Sequence, residues 1–161
     1  MRVLSSSESQ KLENRRRQFG AFCQEIAPVL SDFADRLGLP NPETITANPE
    51  AFLEPIEAFM KDQQITDENR IWIVARLAYF IGQTLIQRLG GEWKLNEHPD
   101  SRFFLRYVVG QIPGVANPNA TVDPFMVANT FLAEPPGRSL TRIISEAEHE
   151  IGTYWDALGT S

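Results

Sequence analysis

The chain has 161 residues, of which 42% are apolar and 22% charged, with ten Phe, three Trp, three Tyr and a net charge of −6. Those values suit one folded domain with a real core and exclude a disordered chain, which would be poorer in aliphatic and aromatic residues. The acidic balance opposes a general affinity for nucleic acid, which needs Lys and Arg to displace counterions from phosphate.

One cysteine, Cys23, leaves no internal disulfide to form, and Met1 to Leu4 runs into Ser5, Ser6, Ser7 and Glu8 without an apolar h-region. The expected compartment is therefore the cytoplasm. The longest apolar run, residues 71–82, carries Arg76 and falls short of the roughly 20 residues of a membrane span; no membrane partner is expected. Charge is uneven along the chain. Residues 1–20 hold Arg2, Lys11, Arg15, Arg16 and Arg17 against Glu8 and Glu13, whereas residues 145–161 hold Glu146, Glu148, Glu150 and Asp156 with no Lys or Arg.

Taken in chain order, Leu12, Phe19, Phe22, Cys23, Ile26, Leu30, Phe33 and Leu37 recur at helical steps and predict a long amphipathic helix over residues 7–37. Pro28 predicts a kink or a division near residues 24–27, and Gly38 with Pro40 a stop. Residues 39–48 read as a linker with room for a minor strand at Thr44 to Thr46. A helical core follows over 48–89: Asn48 as cap with Pro49 at the first position, a second short helix from Pro55, and a third helix capped by Thr66 with Asp67 and Glu68 behind it. Apolar residues from Ile71 to Ile86 surround nearly all of that third helix, so it is expected to be central and buried. Gly90 and Gly91 close it.

From Glu92 the period changes to two, predicting an antiparallel hairpin over 92–109, with Trp93 and Leu95 on one strand and Phe103, Leu105, Tyr107 and Val109 on the other. Residues 111–121 carry Pro113, Gly114 and Asn117-Pro118-Asn119 and read as an irregular loop. Two C-terminal helices complete residues 123–158: one opened by Asp123-Pro124 and ended by Pro135-Pro136-Gly137, the other capped by Ser139 with an apolar stripe from Leu140 to Leu158. The fold class is α+β, a helix-rich single domain with a buried central helix and a small hairpin sheet.

No catalytic constellation emerges. Glu146-x-x-His149 has the spacing of half a carboxylate-bridged di-metal site, but the only other histidine, His98, has Leu95 three residues before it. The acidic turn is expected to face solvent. Cys23 falls on the Phe19 and Ile26 face, where an inert buried thiol is expected rather than a nucleophile. The Gly90-Gly91 pair lacks the remainder of any phosphate-loop pattern. Arg15, Arg16 and Arg17 offer a patch for phosphate or an acidic partner, but they point three ways around a helix, so at most two share a face, and a solvated face is expected. No metal, cofactor or catalytic residue is assigned.

Tyr79-Phe80-Ile81-Gly82-Gln83-Thr84, followed by Gly90-Gly91-Glu92-Trp93, resembles a pattern in small uncharacterised bacterial domains in which a helix bearing tyrosine and glycine ends in Gly-Gly-x-Trp and enters a strand. The resemblance covers roughly residues 70–140 and implies an accessory or immunity-like partner protein, with no catalytic residue to carry over. Gly82 would admit a close neighbour and Trp93 would pack at the start of the sheet. The expected function is a non-enzymatic protein-interaction domain, the alternative a small-ligand binder or enzyme of another class. Its expected binding surface centres on the hairpin and following loop, with Lys94, His98, Arg102 and Arg106 as the contacts and an acidic protein as the partner.

Overall fold

The first helix, α1, is continuous over Ser6–Arg36 in the computed structural model, which describes residues 3–115 and 119–151. Ser5 and Glu8 form a capping box at its start, each side chain bonding the other's backbone N–H at 3.0–3.1 Å. The expected division near Pro28 does not occur. Pro28 and Gln24 both face solvent, so the carbonyl that loses its helical donor is open to water. The helix ends in a Schellman motif: Gly38 takes φ +74°, its N–H bonds Asp35 and that of Leu39 bonds Ala34 at 2.9 and 3.0 Å.

The linker forms a short 3₁₀ turn, Pro42–Thr44, instead of a strand, and drops Ile45 into the core with no exposed surface. Helix α2 spans Glu50–Met60 with Pro49 at its cap position. Asn48 contributes only its carbonyl, which accepts from Ala51, so the side-chain cap is absent. Pro55 leaves α2 undivided, since the carbonyl it cannot serve belongs to exposed Ala51.

Helix α3, Asp67–Leu89, begins in a Thr66 and Asn69 capping box and ends at Gly90 with φ +80°. Leu77, Ala78, Phe80, Ile81, Thr84 and Leu85 have no exposed surface, so the helix is central over most of its length. Its first turns are less covered than the sequence suggests. Ile71 is 80% exposed and Trp72 only half-buried, because the helix starts beyond the body it enters.

Strand β1, Glu92–Leu95, pairs antiparallel with β2, Tyr107–Gly110, in the register Trp93 to Val109 and Leu95 to Tyr107. The expected strand from Phe103 starts later. Asn96 donates to the Arg106 carbonyl and accepts from the Leu105 N–H, both at 2.9 Å, so two residues oppose one. Leu105 takes φ +71° at this bulge, which shifts the side-chain alternation by one residue. Val122 bridges Val109 with two 2.9 Å hydrogen bonds, occupying the outer edge of β2 at that point. The hairpin docks through Trp93: a Cβ on Gly82 would lie 2.0 Å from the Trp93 ring, and the indole N–H donates to Gln83 Oε1 at 2.8 Å.

Helix α4, Pro124–Ala133, is capped by Asp123 and packs along α3. Helix α5, Leu140–Glu150, is capped by Ser139; the expected continuation through Tyr154, Trp155 and Leu158 lies outside the described residues. Arg138, only 5% exposed, donates to the carbonyls of Met60, Gln63 and Glu134 at 2.9–3.1 Å and so satisfies the ends of α2 and α4. Among the described residues the fold is thus five α-helices with a two-stranded antiparallel sheet, a helix-rich α+β architecture.

Candidate functional site

The four residues singled out around the hairpin are engaged in different ways within the fold. Arg106 lies just before β2 and donates to Asp123 Oδ2 at 2.7 Å. That carboxylate is fully buried, and its other oxygen caps α4 by accepting from the Phe125 and Met126 N–H groups, so much of the Arg106 charge is spent on the fold. Arg102 stacks over Phe103 at 4.6 Å and reaches to 3.8 Å from Glu150. Arg102 lines a cleft with Phe103, Thr121, Asp123, Met126 and Glu150, about 30 Å³ in volume, room for a single water and too small for a ligand; Arg106 meets it through Asp123.

Lys94 lies opposite Val108 with its stem over Gly110, where a Cβ would meet Cδ at 2.6 Å and Thr121 at 3.3 Å. Thr121 is also a wall of the cleft, so Lys94 borders it. His98 is part of the turn: its backbone N–H donates to Asn96 Oδ1 at 2.9 Å, and its Nδ1 is buried without a hydrogen-bond partner among the described residues.

On the side of the hairpin that meets α1, the structure shows a second surface, at the arginine triplet that the sequence reads as a solvated face. Lys11, Asn14, Arg15 and Gln18, spaced as one face of α1, line an open groove of about 310 Å³ with Leu105 as its opposite wall. Arg15 is held in place three ways. Its Nε donates to the Leu105 carbonyl at 2.9 Å, its guanidinium lies 4.0 Å over the Tyr107 ring, and Tyr107 Oη returns a 2.7 Å bond to the Arg15 carbonyl. The arginine triplet divides as helical geometry requires: Arg15 to the hairpin, Arg16 to Glu97, Arg17 back to Asn14.

Cys23 corrects the sequence reading: it is exposed. The buried stripe of α1 runs through Leu12, Ile26, Leu30, Phe33 and Ala34 with Phe19 and Phe22 half-buried; Cys23 lies within about 20° of Leu12 and Leu30 around the helix and is nonetheless left uncovered. Partial burial pushes its thiol pKa up, away from a reactive thiolate. The acidic turn of α5 is not wholly solvated either. Glu148 is half-buried and receives Arg88 Nη1 at 2.5 Å, while Arg88 also grips Glu50, tying α2, α3 and α5 together. Glu146 is held by Arg142 at 2.7 Å. Among the described residues no three His, Cys, Asp or Glu side chains gather as metal ligands. Tyr79 donates to Glu25 Oε2 at 2.5 Å, and burial together with that carboxylate raises the phenol pKa.

Among the described residues no helix is long and apolar enough to cross a membrane. Comparisons with family models, with curated proteins and with solved structures find no match to the chain.

Proposed function

We propose that the protein is a non-enzymatic interaction or accessory module of the bacterial cytoplasm, which binds another protein through the hairpin end of the molecule, from Lys94, His98, Arg102 and Arg106 round to the exposed face of α1. The observation that carries this reading is the distribution of charge and space. The cleft at the hairpin is about 30 Å³, whereas the groove beside α1, about 310 Å³, is open and has Lys11 and Arg15 but no carboxylate in its walls. A cationic surface of this kind on a chain of net charge −6 suits recognition of a complementary protein surface more than enclosure of a substrate. The resemblance around Gly-Gly-x-Trp points to the same class, and the single cysteine to the same compartment.

The test is affinity capture from native cytoplasm by wild type and by the double variant Lys94→Glu, Arg102→Glu. Arg106 is left in place because its removal would strand the buried Asp123 charge. Loss of a specific partner by a variant that still folds supports the surface; retention of every partner at wild-type salt dependence overturns it.

A further inference from the structure

We infer that the groove between α1 and the 101–105 turn is a carboxylate-recognition site, and that the segment it takes from a partner is an acidic peptide with two carboxylates about 6 Å apart, the spacing of neighbours one turn apart on a helix. This rests on the proposed interaction function and specifies the chemistry of the partner.

Three observations converge on it. Arg15 is oriented before any ligand arrives: the Tyr107 ring beneath and the Leu105 carbonyl at Nε fix its plane, and its two terminal nitrogens make no hydrogen bond among the described residues. A guanidinium so placed offers paired donors to a carboxylate with little further ordering to be done. Lys11 lies one turn back on the same face, exposed, with no ion pair among the described residues. Two like charges at this spacing repel, and an anion between them relieves the repulsion. Asn14 and Gln18 complete a polar floor, while Leu105 gives the opposite wall an apolar contact.

The surroundings favour a short acidic segment over a polyanion. Glu8 and Glu13 lie on α1 itself, and Glu97 stands beside Arg16. A nucleic acid long enough to fill the groove would run its phosphates onto these carboxylates, which a peptide with only two acids avoids.

The experiment titrates the full chain with a short alanine-based helical peptide carrying two glutamates four residues apart, with its glutamine counterpart, and with a short duplex DNA. The glutamate peptide binds, and more weakly as salt rises. Its affinity falls roughly twofold to fivefold in Lys11→Glu and in Arg15→Gln, the range of one oriented exposed charge pair, and is unchanged in Lys61→Glu. The Arg15 Nε and Leu105 amide signals shift on binding. Because Arg15 also holds the hairpin, Lys11→Glu, whose side chain supports nothing else, is the decisive variant. Equal binding of the two peptides, an unchanged affinity in Lys11→Glu, or tighter binding of the duplex would overturn the inference. If that happens while Lys94→Glu, Arg102→Glu still loses its captured partner, the interaction function stands and only the partner chemistry is wrong. A glutamate peptide that binds at the groove while capture is indifferent to the hairpin variant locates the failure in the proposed surface instead.

Discussion

Two apolar regions of this molecule are made from the same kinds of residue and differ in how many elements cover them. In the main core Phe33, Phe80, Phe131, Leu30, Ile81 and Ile144 have no exposed surface, because side chains of α1, α2, α3, α4 and α5 meet in one cluster. In the smaller region Leu12, Leu95 and Tyr107 keep 5–8% of theirs, since this region lies between one face of the hairpin and α1 and is walled by half-buried Leu4, Phe19, Phe22 and Leu105. The hairpin therefore leans on polar ties that the main core does not need: Arg15 to Leu105, Tyr107 to Arg15 and Arg16 to Glu97. The rigid part of the protein and the part that presents its cations are thus held by different forces.

The comparison breaks most directly at Phe80. Phe80→Ala should cost about 3–5 kcal/mol through lost burial and a cavity that four packed elements cannot close, read as a lowered urea midpoint; a midpoint within error of wild type would mean the core is misplaced. Leu12→Ala should cost only about 2 kcal/mol, at the low end for a buried leucine, because a region with one open side can settle around the gap. A loss equal to that of Phe80→Ala would show the two regions to be one cooperative unit.

Gly82→Ala sharpens the boundary between them. Alanine favours a helix over glycine by up to ~1 kcal/mol, yet its Cβ would stand 2.0 Å from the Trp93 ring. The net effect should be a loss of about 1–2 kcal/mol, as for an overpacked site, with amide exchange rising in residues 92–110 ahead of α3; a stabilised variant with unchanged exchange would refute the socket.

The smallest effect is one of pH. Burial alone would raise the Glu57 carboxyl, but the Thr141 N–H and the hydroxyls of Thr141 and Ser139 override it and hold the pKa below its ordinary value. Its folded pKa being the lower one, the stability it contributes is present above the unfolded value near 4.3 and is lost as pH falls through the folded pKa. Acid titration should loosen the contact of α2 with α5 as Glu57 takes up its proton, and Glu57→Gln should flatten that part of the stability profile. An identical profile in the variant would remove Glu57 from the account.

The elements that could be read from sequence are those whose signals are local. Thr66, Asp123 and Ser139 cap the helices they precede, Gly90 takes the left-handed conformation that ends α3, and Gly82 receives Trp93. What could not be read depends on where a residue faces. Pro28 and Pro55 leave their helices whole because the orphaned carbonyls meet water, and a proline reads the same in sequence whichever way it points. Cys23 has the spacing of the buried stripe of α1, yet it is exposed, because periodicity fixes the face of a residue and not whether another element covers that turn. The bulge at Leu105 has no glycine to announce it, and it turned Arg102 and Arg106 from the face of a strand toward Glu150 and Asp123. The groove was hidden for a similar reason: its polar stripe on α1 looks like any solvated face until Leu105, ninety positions from Arg15, closes the other side.

The seat of Trp93 gives the molecule an optical label for its own weakest joint. The indole fits the notch above Gly82 with its N–H on Gln83, while Trp72 sits elsewhere on α3 beneath Arg76. Lifting the hairpin carries one of these two chromophores into water and leaves the other where it was, so a red shift in emission that precedes the loss of helical circular dichroism would time the departure of the hairpin separately from the melting of the body.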